Sequence, residues 1–70
     1  MAEIRAEMVA NVWKVLVSEG DQVDDGDTLV ILESMKMEIP VLAETPGTVT
    51  KLHVAEGDVV QEDELIAEIG

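Results

Sequence analysis

Two stretches of this chain alternate with a period of two. Trp13, Val15 and Val17 interleave with Lys14, Leu16 and Ser18, and later Thr50, Leu52 and Val54 interleave with Lys51, His53 and Ala55. That period belongs to strands, whose successive side chains point to opposite faces. Gly20-Asp21 and Gly57-Asp58 mark a turn after each stretch. A short acidic loop follows Val23 and Val60, and then Leu29-Val30-Ile31-Leu32 or Leu65-Ile66-Ala67 supplies another strand. Met37–Leu42 reads as a further strand, which Pro40 places at an edge or a bend because it lacks an N–H. Pro46-Gly47 turns the chain again. Many short strands joined by turns predict an all-β sandwich or flattened barrel. Helices do not fit, because the apolar runs are rich in β-branched residues and Gly or Pro interrupts the chain too often.

The pattern is also a repeat. At an offset of 37, Ala10–Glu33 falls on Gly47–Gly70 without a gap. Val12 meets Val49, Lys14 meets Lys51, Val17 meets Val54 and Val23 meets Val60. Glu19-Gly20-Asp21 meets Glu56-Gly57-Asp58. Asp27 with Glu64, Leu29 with Ile66 and Leu32 with Ile69 are conservative pairs. Two copies are too few for a solenoid. The geometry they predict is two similar halves about a pseudo-two-fold axis.

Between the copies lies Glu33-Ser34-Met35-Lys36-Met37-Glu38, flanked by two strand runs, so a tight hairpin is expected there. Two-residue hairpin turns need positive φ at both central positions and favour Asn-Gly. Met35 and Lys36 are poor residues for that backbone. A local rule broken at one turn points to function at that turn.

Composition narrows the function classes. Seventy residues make one small domain, near the lower limit for a self-sufficient core. The absence of cysteine excludes a disulfide framework and thiolate metal sites, and suits a reducing cytoplasm. At 47% hydrophobic residues the chain is not a disordered acidic tail. The net charge of −12 argues against nucleic acid and anionic membranes as partners, and favours a soluble monomer. The opening residues are not a signal peptide, and no apolar run is long enough to span a bilayer. The initial Met and an end straight after the last strand suit a free-standing protein.

Repeat, turn and motif together resemble the biotinyl/lipoyl attachment domain, in particular its short single-domain biotin carriers. Ser34-Met35-Lys36-Met37 matches the family's attachment motif position for position. The Glu-Gly-Asp-x-Val element appears twice, at Glu19–Val23 and Glu56–Val60. The resemblance implies one domain over residues 1–70, a flattened barrel of two four-stranded antiparallel sheets without a thumb insertion, and a lysine at a hairpin tip far from both termini. It implies that biotin protein ligase attaches biotin to Lys36 through an amide and reads Met35, Met37, Glu33 and Ser34. It further implies that the biotin takes up a carboxyl group at a biotin carboxylase and delivers it at a carboxyltransferase. Ala6-Glu7 and Ala43-Glu44 depart from the family's Ala-Pro, and Asp63 stands where the first copy has Gly26. These departures bear on turns and leave the lysine untouched.

The chain carries no acid–base pair, phosphate loop or metal set of its own, so a carrier is expected rather than an enzyme. An amine with the ordinary lysine pKa is neutral in only about one molecule in a few thousand at pH 7, so activation is expected from the ligase. A lipoyl carrier is the alternative on the same fold, disfavoured by methionine on both sides of the lysine. An unmodified β-sandwich interaction module is the alternative from another class. His53 has no neighbouring ligand pattern and reads as a structural residue, and Trp13 reads as core or half-core. Asp21–Asp27 fails as a calcium loop: with Gly26 as the sixth position, Val23 and Leu32 fall where oxygen ligands are needed.

Overall fold

A computed structural model describes residues 2–70; Met1, where the expected domain begins, lies outside the described residues. The strands are β1 (Ala2–Arg5), β2 (Ala10–Val15), β3 (Gln22–Val23), β4 (Thr28–Ser34), β5 (Met37–Leu42), β6 (Gly47–Leu52), β7 (Val59–Val60) and β8 (Leu65–Ile69). They form two four-stranded antiparallel sheets, ordered β1-β8-β6-β3 and β5-β4-β2-β7. The offset of 37 carries β1 onto β5, β2 onto β6, β3 onto β7 and β4 onto β8, and so maps one sheet order onto the other. Each sheet takes two strands from each half, because β3 pairs with β6 and β7 with β2. The halves are therefore interlocked, and neither can close its sheet alone. No helix among the described residues is long and apolar enough to cross a membrane.

The core between the sheets is aliphatic. Val12, Leu29, Val30 and Leu32 are almost completely buried, as are their twins or near-equivalents Val49, Ile66, Ala67 and Ile69. Burial of these side chains drives closure at roughly 25 cal/mol per Å² of apolar surface.

The Glu-Gly-Asp elements do more than turn the chain. Gly20 N–H donates to Val49 O at 2.8 Å, and Gly57 N–H to Val12 O at 2.9 Å. Leu52 N–H donates to Glu19 Oε2 at 3.1 Å, and Val15 N–H to Glu56 Oε2 at 3.2 Å. Asp21 and Asp58 each accept from the N–H three residues earlier, at Ser18 and Ala55, both at 2.9 Å. Each element thus reaches into the opposite half and satisfies backbone donors that the sheet ladder leaves open.

Three sequence readings change. Strand β2 ends at Val15, although Val15 and Val17 still pack against the core while Leu16 and Ser18 are exposed; a register shift between Val12 and Lys14 makes Trp13 an extra residue in the strand. A bulge turns two successive side chains outward, so Trp13 is 41% exposed with Lys14 Nζ 5.2 Å from its ring centre, not part of the core. Thr50 occupies the same bulge in the second half. Strand β1 escaped the hydrophobic pattern because it is four residues long and half charged, yet it pairs with β8 as β5 pairs with β4. Finally, Asp63 keeps the turn that Gly26 makes. Its φ is 70° against 92°, and its N–H donates to Ala6 O at 2.7 Å as Gly26 N–H does to Ala43 O at 2.8 Å. Ala6 and Ala43 are themselves buried.

Candidate functional site

Strands β4 and β5 pair from Thr28↔Leu42 to Ser34↔Met37, which leaves Met35 and Lys36 as a two-residue turn. Their φ values are 52° and 66°, the left-handed conformation that a primed hairpin turn demands. Side chains with a Cβ enter that region at a cost of about 1–2 kcal/mol per residue. The turn survives because its stem is anchored. Leu29, Val30 and Leu32 of β4 are buried, and Ile39 and Val41 of β5 pack against the core as an edge strand. Pro40 lies on that edge, opposite Ile31, as expected.

The tip is open on every side. Met35 is 91% exposed and Met37 63%, so neither caps the core. Lys36 is exposed, Ser34 is half-buried, and Glu33 and Glu38 stand exposed directly opposite each other. Like charges at opposed positions disfavour a ladder, a second local cost at this hairpin. Among the described residues the ion pairs are Arg5–Glu3 at 2.9 Å and His53–Glu68 at 2.8 Å, so the Lys36 amine is not held in an ion pair. The Arg5 guanidinium, hydrogen-bonded to Glu3 and attracted by its charge, is held above the ordinary arginine pKa. Ala2 pairs with Ile69 at the end of the molecule opposite the hairpin, in a body 31 Å long and 17 Å across.

The other candidates fall elsewhere. His53 Nε2 lies 2.8 Å from Glu68 Oε2, a pairing that accounts for it structurally. The Asp24–Asp27 loop is a capped turn, with Asp24 N–H donating to Asp27 Oδ2 at 2.8 Å; its twin has Gln61 N–H donating to Glu64 Oε1 at 3.1 Å. No group of three or more His, Asp or Glu side chains among the described residues could hold a metal ion. The cross-half role of Glu19 and Glu56 was not visible from spacing alone, although their coincidence at the repeat offset was the signal for it.

A family model described as a biotin-requiring enzyme, the biotin/lipoyl family, matches residues 2–69. The chain belongs to this family. It is 63% identical over 70 residues to the biotinylated protein TB7.3 homolog of Mycobacterium leprae, covering 99% of both chains. It is 44% identical over 66 residues to a biotin/lipoyl attachment protein of Bacillus subtilis, covering 94% of this chain and 90% of that one. Among solved structures, the Kluyveromyces lactis urea carboxylase matches with a TM-score of 0.92 and 35% identity, over 99% of this chain and 6% of the carboxylase. The chain is thus a biotin carrier domain of the kind built into carboxylases, a carrier rather than a catalyst. An exposed amine at the turn of an anchored hairpin fits biotin, whose activated carboxyl group needs an accessible nucleophile to form an amide.

Proposed function

We propose that Lys36 is the residue that carries biotin, and that a biotin protein ligase installs it. The observation that carries this reading is the lysine at the apex of an anchored, strained, fully open turn. In the transfer, the neutral Lys36 Nζ attacks the acyl carbon of an activated biotinyl group. A C–N bond forms, the adenylate leaves with the electron pair of the broken acyl–oxygen bond, and the amine's proton passes to the ligase. The chain itself presents the amine at the end of the hairpin, while Met35, Met37, Glu33 and Ser34 give the ligase a surface to read. Lys14 and Lys51 are poorer acceptors, because each rises from the middle of a sheet face where an active-site cleft must clear the whole face.

Attached biotin supplies a ureido nitrogen able to hold a carboxyl group. The single attachment domain, residues 1–70, would serve the biotin carboxylase and carboxyltransferase components of a cytoplasmic carboxylase as a monomeric shuttle. A tethered arm on a small rigid body raises the local concentration of the group at both sites.

The test is incubation of the unmodified chain with a biotin ligase, ATP and biotin, read by intact mass and peptide mapping. One biotinyl group on Lys36, absent from Lys36→Arg, is the expected result. Biotin on Lys14 or Lys51, or none, overturns it. A lipoyl group on Lys36 in protein from the native cell would favour the lipoyl alternative, and a wholly unmodified native protein the interaction-module alternative.

A further inference from the structure

The interiors of the two halves match, but their outer faces do not. On the sheet that bears the hairpin, Pro40 lies opposite Ile31, Ile31 opposite Lys14, and Val59 opposite Asn11. Trp13 projects from the bulge beside Lys14. The twins of Trp13, Ile31, Pro40 and Val59 on the other sheet are Thr50, Glu68, Glu3 and Gln22. Four outward positions are apolar on one sheet and polar on the other, over the same backbone. Trp13 is 41% exposed and Val59 57%, so folding leaves much of this apolar surface in water.

The patch runs on into the hairpin. Three pairs, Leu32↔Ile39, Glu33↔Glu38 and Ser34↔Met37, separate the Ile31–Pro40 row from Met35 and Lys36, and of these the outward pair is Glu33↔Glu38. Three residues of strand cover about 10 Å, and four strands span about 14 Å from β5 to β7. Patch and tip together make a surface that one partner can cover in an interface of ordinary size.

We infer that this outer face of β5-β4-β2-β7 is where the ligase docks; the inference rests on Lys36 being the biotin acceptor. The location of the reacting atom selects the ligase over the carboxylase components. In the ligase step the reacting atom is Lys36 Nζ itself, so the enzyme must close on the body around the hairpin. In later steps the reacting atom sits at the far end of a long flexible arm, and the body can stay clear. Charge sets the partner's chemistry. Glu33 and Glu38 lie between patch and tip on a chain of net charge −12, so the complementary face has an apolar recess for Trp13 and a basic rim.

The test measures biotin transfer by ligase to purified unmodified chains. Trp13→Thr/Val59→Gln gives each position the residue of its twin and leaves the hairpin intact. Its kcat/KM is expected to fall about tenfold, the effect of losing a buried aromatic anchor. The loss falls on KM, with kcat at saturating carrier within about twofold. Trp13→Leu, which keeps apolar area, recovers most of it, and Thr50→Trp on the other sheet changes nothing. Should the double variant lower the unfolding midpoint, Val59→Gln alone carries the same test in the same direction. Wild-type kcat/KM in the folded twin-residue variants, with biotin still reaching Lys36, overturns the docking face alone. A wild-type chain that takes no biotin on Lys36 overturns the acceptor assignment instead.

Discussion

The two halves of this domain share one backbone solution and differ where partners would meet them. Val12 and Val49, Gly20 and Gly57, Glu19 and Glu56 make the same hydrogen bonds at distances within 0.1 Å of each other. Both halves must solve the same closure problem, so whatever closes the sheets is kept twice. The hairpin at Met35–Lys36 has no counterpart, because the point it maps onto lies where β8 ends and β1 begins. The outer face beside it departs from its twin at Trp13, Ile31, Pro40 and Val59. In a duplicated fold, symmetry marks what folding requires, and its loss marks what remains to be used for function.

Apart from transfer to Lys36, the largest expected effect comes from a point where the symmetry is only approximate. Gly47 is the twin of Ala10, yet a Cβ on Gly47 would lie 2.8 Å from both Gly70 O and Ile69 Cγ2. Ala10 carries its Cβ buried at the matching point, where Leu32, the twin of Ile69, has no Cβ branch methyl. Gly47→Ala should therefore destabilise by about 1–3 kcal/mol in urea unfolding, the usual cost of overpacking. Full tolerance would mean that the two halves are freer to differ than their packing indicates.

A middle-sized effect tests the cross-half ties. Glu19→Ala and Glu56→Ala each remove the carboxylate that accepts Leu52 or Val15 N–H, and each should cost about 1 kcal/mol. The two costs should agree to within about 0.5 kcal/mol, since both donors are backbone N–H groups beside equivalent bulges. Clearly unequal costs by thermal or urea unfolding would break the equivalence of the halves.

The smallest effect sharpens it. Asp63→Gly should stabilise by a few tenths of a kcal/mol: it relieves a non-glycine residue at φ 70° but adds freedom to the unfolded chain. Gly26→Asp should cost more, up to about 1 kcal/mol: no atom lies within 4 Å of the new Cβ, but a side chain at φ 92° strains the backbone. A loss of stability in Asp63→Gly would show that Asp63 contributes through its side chain.

Much of this was legible without coordinates. The offset of 37 predicted paired halves, and the runs at Leu29–Leu32 and Met37–Leu42 predicted the hairpin stem around Lys36. The two strand runs left Met35 and Lys36 as the central residues of a tight turn, which predicted left-handed backbone there despite their side chains, and both have it. Trp13 was misread because a period of two carries no mark of an inserted residue, and one bulge reverses the parity of everything beyond it. Strand β1 was missed because its stability comes from pairing with β8, over sixty residues away in sequence, rather than from its own composition.

The sequence by itself determined the duplication, the aliphatic core, the acidic surface and the lone lysine between two methionines, because each is a property of residue order. Only the tertiary structure decided which outward residues share a sheet with the Lys36 hairpin. Strand exchange between the halves brings Val59 of β7 beside β2, and the bulge turns Trp13 outward onto that same sheet. Pairing partners and register are global quantities, set when the whole barrel closes, so no local pattern encodes them.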